Sequence, residues 1–381
     1  MFLAGLPEPW RTGWAPFARA LERGAVRLGL APLASVAGWL ADDLEIGHPS
    51  SFAVEKAIAA LLGRPVAAEP LDESPFARLV RIGPRRPARR PRVLLVAPCS
   101  GYAASVLAEL AAVLLEAGEL ALLEWRDARL VPAEAGPWGM AEQAAEAGRA
   151  VARFRPDLVV AVSQAGDAAL AATLAARARG DGPAGLALLG TPSLPEIDPT
   201  PLQRSLALLP ETTLAALCLV EVAAGWPGAG RRVFPGRLQL ATVVASDPWI
   251  YGAVRLGALA ERLDGRAGSH SRALGELHAL QDVPAELWLD LVARLRAPTP
   301  ALPEAMREAS RGLALLTVEA EADALVGRGQ THGLHDRLAR GAPRAAFTLA
   351  GAAHHELFTG PRFRAGLVPR LSSFLERLRG G

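Results

Sequence analysis

The stretch Asp157-Leu-Val-Val-Ala-Val-Ser163-Gln-Ala-Gly-Asp-Ala-Ala-Leu-Ala-Ala-Thr-Leu-Ala-Ala-Arg177 changes character at one residue. Leu158 to Val162 is an unbroken apolar, β-branched run bounded upstream by Pro156, the pattern of a parallel strand buried on both faces. From Gln164 the residues are rich in Ala and Leu and free of Pro, which predicts a helix. Ser163 sits on the joint. A hydroxyl at a strand-to-helix elbow stands at the carboxyl end of the sheet, where open α/β sheets carry their chemistry. Such an elbow strains the backbone of its central residue and brings helix and strand together, so the flanking positions must be small. The usual pattern is G-x-S-x-G; here Ala161 and Ala165 take the outer places and Gly166 follows one step later. A serine at a helix start also serves as an N-cap, so the rest of the chain must decide between the two roles.

Strands and helices alternate on both sides of this elbow. Leu71 to Ile82 reads as one opening strand, followed by a solvated Arg-Pro run from Pro84 to Pro91. Val93 to Pro98 is an apolar strand ending at Cys99-Ser-Gly-Tyr102, with a helix to about Glu116. Ala121 to Asp127 is a further strand, and Glu142 to Phe154 a helix leading into the elbow. Beyond it lie strands at Gly185–Gly190, Leu313–Val318 and Ala345–Leu349, and a last amphipathic helix from Leu367 to Leu378. The alternation predicts an α/β fold with a mostly parallel, doubly wound sheet. From about Pro195 to Ser310 the strand rhythm gives way to Pro-interrupted helical segments holding Trp226, Phe234, Trp249, Tyr251 and Trp288. A helical stretch inserted between strands is most simply a cap. The expected layout is therefore an N-terminal helical segment, 1–65, a core formed by 66–194 and 311–381, and a helical cap insertion, 195–310. The helices of 1–65, broken at Pro7, Pro9, Pro32 and Pro49, present apolar faces through Trp10, Trp14, Phe17, Leu21, Leu40, Leu44 and Phe52. Packing on their own domain is the simplest use for them, and lying on a hydrophobic surface is the alternative.

The composition, 381 residues of which 51% are hydrophobic and 21% charged, suffices for one large α/β domain with an insertion or for two domains. A net charge of +2 does not call for nucleic acid. Two cysteines, Cys99 and Cys218, make no disulfide scaffold and suit a reducing compartment. The N-terminus lacks a basic region followed by an apolar core, and no run nears the roughly 18 apolar residues that span a membrane. The expectation is a soluble, cytoplasmic protein. No His/Cys/Asp spacing fits a metal site and no glycine-rich loop follows a strand in a phosphate-binding pattern, so neither metal nor cofactor is expected.

Two late strands carry the residues that give Ser163 a purpose. Leu313–Val318 runs into Glu319-Ala-Glu-Ala-Asp323, and Ala345–Leu349 runs into Ala350-Gly-Ala-Ala-His354-His355. The order Ser163, Asp323, His354 is that of the α/β-hydrolases, each residue just beyond the carboxyl end of a predicted strand. A serine hydroxyl needs a base to take its proton as it attacks an acyl carbon. His354 fits that role, with Asp323 to set its tautomer. His355 remains an alternative base, and Glu319 and Glu321 alternative acids. His332 and His335 fall on a predicted helix and read as surface or partner-bonding residues. Asp247 falls in the cap and is set aside. Cys99 reads as a buried small hydrophobe rather than a nucleophile. The oxyanion needs two donors: the backbone N–H of Gln164, and one from the loop after Pro98, Cys99 or Ser100, where Gly101 permits close approach.

With these residues in view, the chain resembles the intracellular polyhydroxyalkanoate depolymerase family from about Pro75 onward. The likeness rests on Pro75-Phe-Ala-Arg-Leu, Val93-Leu-Leu-Val-Ala-Pro-Cys-Ser-Gly-Tyr102, Glu124-Trp-Arg-Asp-Ala-Arg-Leu-Val-Pro132 and Val160-Ala-Val-Ser-Gln164. It continues through Phe234-Pro-Gly-Arg-Leu-Gln-Leu240, Val283-Pro-Ala-Glu-Leu287, Leu316-Thr-Val-Glu-Ala-Glu-Ala-Asp323, Gly329-Gln-Thr331 and His354-His-Glu-Leu-Phe-Thr-Gly360. The resemblance implies an α/β-hydrolase with a cap that hydrolyses stored poly(3-hydroxyalkanoate), chiefly the 3-hydroxybutyrate polymer, at an intracellular granule. Carried over, nucleophile, acid and base fall on Ser163, Asp323 and His354. Two departures stand out: the family shows Cys-Gln-Pro where this chain has Ser163-Gln-Ala165, and Met-Ser-Gly-His where it has Cys99-Ser-Gly-Tyr102. Tyr102, Phe234, Trp249 and Trp288 are the candidates to line an apolar slot for the polymer. Two alternatives stay open: a polymer-synthase relative or esterase acting on another acyl substrate, and a catalytically retired granule-associated paralogue.

Overall fold

The computed structural model describes residues 8–44, 54–84, 90–246, 248–266, 268–339 and 343–380. Pro7, Pro49, Phe52, Asp247 and the centre of the Arg-Pro run lie outside them, as do the side chains of Trp10 and Leu44. Contacts group the chain into two units, one from the described residues of 1–51 and 235–282, the other from those of 52–234 and 283–381.

The larger unit is built on eight strands: β1 (Ala68–Glu73), β2 (Ala77–Ile82), β3 (Arg92–Val96), β4 (Glu119–Trp125), β5 (Leu158–Val162), β6 (Gly185–Leu189), β10 (Ala314–Ala320) and β11 (Arg344–Leu349). They lie in the order β1-β2-β4-β3-β5-β6-β10-β11. β2 runs antiparallel to both its neighbours, and every other pair is parallel. This is the α/β-hydrolase fold. A second sheet of three short antiparallel strands, β7 (Val220–Glu221), β8 (Arg232–Phe234) and β9 (Val283–Pro284), lies in the stretch read as purely helical. Strands of two or three residues are too short for a period to register in sequence. The single opening strand is likewise two strands: Pro75 sits in the turn, and Ser74 Oγ accepts the Ala77 N–H at 3.0 Å.

Every residue of β5 and β6 is buried, so their side chains have apolar neighbours on both faces and the unbroken run is what such a strand needs. Parallel registry carries one rim across the sheet. Val162 pairs with Leu189, Leu189 with Val318, and Ala320 with Leu349. The residues after β5, β6, β10 and β11 therefore leave the sheet along a common edge.

In the smaller unit, helices Glu8–Arg27 and Ala31–Leu44 meet through Ala15, Ala18 and Ala41, where small side chains let the backbones approach. Trp14, Phe17 and Leu21, expected to pack inward, are exposed instead. Arg262, on helix Pro248–Leu263, bonds Glu22 at 2.5 Å and Asp42 at 2.7 Å, tying the two sequence segments of this unit together.

Candidate active site

Ser163 has φ 54°, a left-handed conformation that a non-glycine residue adopts only when its surroundings hold it there. The buried strand β5 holds it from below and helix Gly166–Ala178 from above, through one turn of 3-10 geometry at Ser163–Ala165. Ala161 and Ala165 are fully buried, which is the reason they are small. The glycine is required at 166: a Cβ there would stand 2.2 Å from Thr191 Cγ2. The elbow thus keeps its close approach one residue later than the usual pattern.

Asp323, in the loop after β10, presents both carboxylate oxygens to donors. Oδ1 accepts the N–H of Leu325 at 2.8 Å and of Val326 at 2.9 Å, an Asx turn that fixes the side chain. Oδ2 lies 2.6 Å from Nδ1 of His354. The carboxylate side chain is 3% exposed and the imidazole 13%. Because a carboxylate only accepts, Nδ1 carries the proton, and Nε2 of the neutral ring is left as the basic nitrogen. His354 opens a short turn, His354–Leu357, locked by Glu356 Oε2 accepting the Ala353 N–H at 2.9 Å. The ring also meets Phe358 edge-on, with centroids 6.4 Å apart, and rests against Gly190. Gly190 follows Leu189, the register partner of Val162, so the ring stands beside the strand end next to the one that carries Ser163.

Hydrogen bonds set the candidate acids and bases apart. Glu319 accepts the backbone N–H groups of Gly329, Thr331 and His332, each at 2.9 Å. Glu321 accepts from Gly351 at 2.8 Å and from Arg328 at 3.1 Å. Neither is bonded to His354. Asp323 bonds His354 and not the exposed His355. His332 and His335 converge on the hydroxyl of Thr317, at 2.8 and 2.9 Å, and burial pushes both below the ordinary histidine range. His335 lies on the short helix Leu334–Arg337, whereas His332 is in the turn before it.

The oxyanion loop needs one correction. The Cys99 N–H donates to Gln164 Oε1 at 2.9 Å, so it is engaged and cannot serve an oxyanion. Ser100, turned by Gly101 at φ 93°, is the remaining candidate beside Gln164. Burial pushes the Cys99 thiol far above its usual range, with Asp127 adding to the shift, so this sulfur is held as an inert thiol. Phe234 and Trp288 stack with centroids 5.1 Å apart and 7° between planes. Tyr102 is half-buried beyond Gly101. Trp249 belongs to the smaller unit and is 87% exposed.

Several contributors escape a reading of the sequence. The side chain of Gln164 donates on to Gln143 Oε1 at 2.7 Å. Gln143 shares the buried face of helix Met140–Phe154 with Ala147, Ala150, Val151 and Phe154, and a polar residue on that face was the available signal. Thr331 Oγ1 accepts the Thr191 N–H at 2.9 Å and donates to its carbonyl at 2.8 Å, pinning the segment that follows Gly190.

Residues 196–379 match the family model described as "PHB de-polymerase C-terminus". Over those residues the chain is similar to the PHB depolymerase family. The match takes in Asp323, His354 and the Phe234–Trp288 pair. Among solved structures the chain is similar to the α/β hydrolase GrgF of Penicillium sp. sh18 (14% identity, 83% of this chain and 100% of that one, TM-score 0.48). It is also similar to the carboxylesterase CesB of Bacillus subtilis (11%, 84% and 95%, TM-score 0.45) and a putative lipase of Acinetobacter baumannii AYE (12%, 86% and 98%, TM-score 0.49). No curated protein matches the chain. Among the described residues no helix is long and apolar enough to cross a membrane, and no cluster of three or more His, Cys, Asp or Glu is placed to hold a metal ion.

Proposed function

We propose that this chain is a serine esterase of the intracellular polyhydroxyalkanoate depolymerase type. Ser163 Oγ attacks an ester carbonyl of the polymer as His354 Nε2 takes its proton, and the imidazolium is stabilised by Asp323. The negative charge reaching the carbonyl oxygen is met by the N–H groups of Gln164 and Ser100. The imidazolium returns its proton to the leaving hydroxyl of the polymer, which departs and leaves an acyl-serine. Water, deprotonated by His354, then attacks the acyl carbon and releases a hydroxyacyl product with Ser163 restored. The stacked Phe234 and Trp288, with Tyr102, are the side chains offered to the polyester as an apolar wall. The working location is the cytoplasm, at the surface of a polyester granule.

The observation that carries this reading is the 2.6 Å bond between Asp323 and His354 on the rim where Ser163 is held at φ 54°. Hydrolysis of native amorphous granules, with short p-nitrophenyl esters alongside, tests it. The parent releases hydroxyacid and Ser163→Ala loses at least about 10³-fold of that rate. A serine-directed phosphonate labels Ser163 alone. Full activity in Ser163→Ala, or a parent that hydrolyses neither substrate, would sink the proposal.

A further inference from the structure

We propose that the side chain of Gln164 is a positioning residue that couples the two halves of the oxyanion site. This rests on the esterase reading above and adds to it a role for a side chain whose backbone alone that reading uses.

The chemistry fixes which way the amide points. The Cys99 N–H can only donate, so the atom it meets at 2.9 Å must be the oxygen of Gln164. The nitrogen end then needs an acceptor, and Gln143 Oε1 stands 2.7 Å away. Gln164 is 6% exposed and Gln143 1%, so water does not compete for these bonds. One end of this relay is the residue after the nucleophile. The other is the residue before Ser100, in the loop that leaves β3. A bond across that gap sets the spacing between the Gln164 N–H and the Ser100 N–H, the two donors an oxyanion must meet together. Gln143 has a separate task. With its oxygen in place, the Gln164 amide cannot turn over and point its NH2 at the Cys99 N–H, where two donors would face each other. Such spacing matters most in the transition state, where the oxygen carries its charge.

Substitutions at 164 change the side chain and keep the backbone donor, which makes the role separable. In Gln164→Met, kcat on a p-nitrophenyl ester falls roughly 10- to 100-fold while KM stays within about threefold. The inhibition constant of a trifluoromethyl ketone, which becomes a charged tetrahedral adduct on the serine, rises in parallel with the loss in kcat. Gln143→Leu frees the amide to flip and lowers kcat about three- to tenfold. Gln143→Glu, an acceptor at the same place, stays within about threefold of the parent, measured per folded molecule from circular dichroism. The inference is overturned if Gln164→Met keeps kcat within twofold, or loses it without weakening the ketone. It is equally overturned if Gln143→Leu and Gln143→Glu fall alike, since that marks packing alone. Ser163→Ala, run in the same series, reports on the esterase reading separately: its failure to lose activity removes the reading, whatever the glutamines do.

Discussion

The imidazole of His354 lies against the backbone of Gly190: a Cβ at Gly190 would stand 3.0 Å from the ring's Cε1 and 3.3 Å from Nδ1. Gly190 itself is in the left-handed region, at φ 57°. The end of β6 is thus shaped as a seat for the ring, and Asp323, in the loop after the neighbouring strand β10, holds the ring at Nδ1.

Gly190→Ala fills that seat. The added methyl presses on His354 and comes within 2.6 Å of Leu357 Cδ1, in a conformation that costs a side chain about 1–2 kcal/mol. The expected result is a loss of kcat of roughly 10²-fold with a modest fall in melting temperature. Steady-state kinetics and thermal unfolding check it. An alanine variant with parent kcat would show that the ring does not depend on this seat.

Glu319 anchors the loop that backs the site. Its buried carboxylate accepts three backbone N–H groups, and Thr331 in that loop clasps Thr191. Glu319→Ala leaves three donors without an acceptor, at about 1–3 kcal/mol for each that water cannot reach. Urea unfolding of Glu319→Ala should show a loss of roughly 3 kcal/mol, with Glu319→Gln intermediate because one amide oxygen remains. Equal stability of the parent and the alanine variant would refute the anchoring role.

In the smaller unit, burial, with Arg255 adding to it, lowers His278 from the ordinary 6.5 to about 3. Tyr251 OH lies 3.0 Å from its Nε2. The folded ring therefore stays neutral where the unfolded chain already takes up a proton. Stability tied to this group is full above about pH 6.5 and drains as pH falls toward 3, by at most about 1.4 kcal/mol per pH unit. Melting temperatures between pH 7 and 4.5 should fall less steeply in His278→Gln than in the parent. Parallel curves would be the contrary result.

Much of this was legible along the chain. A run of five apolar residues, Leu158–Val162, buries both faces and so announces a parallel strand, and a serine at its end followed by an alanine-rich helix announces an elbow. Those signals are local, set by side-chain size and backbone preference over a few residues. The hairpin hidden in Leu71–Ile82 and the short strands β7, β8 and β9 were not legible, because a break at Pro75 or a two-residue strand leaves no period to read. The aromatic blocks that carry the family resemblance also serve packing. Phe76 stacks on Trp138 at 5.2 Å, and Trp125 meets the same ring and donates from Nε1 to Ala97 O at 2.6 Å.

By itself, the sequence determined the alternation of elements, the elbow, and a shortlist of three acids and two histidines at two strand ends. Only the tertiary structure bonded Asp323 to His354 among the residues of that shortlist, committed Glu319 to three backbone N–H groups, and engaged the Cys99 N–H with Gln164 Oε1. The reason is physical. Residue type and periodicity are properties of neighbours in the chain, whereas a carboxylate's role depends on which donors fill its lone pairs, and those come from segments brought alongside by strand register.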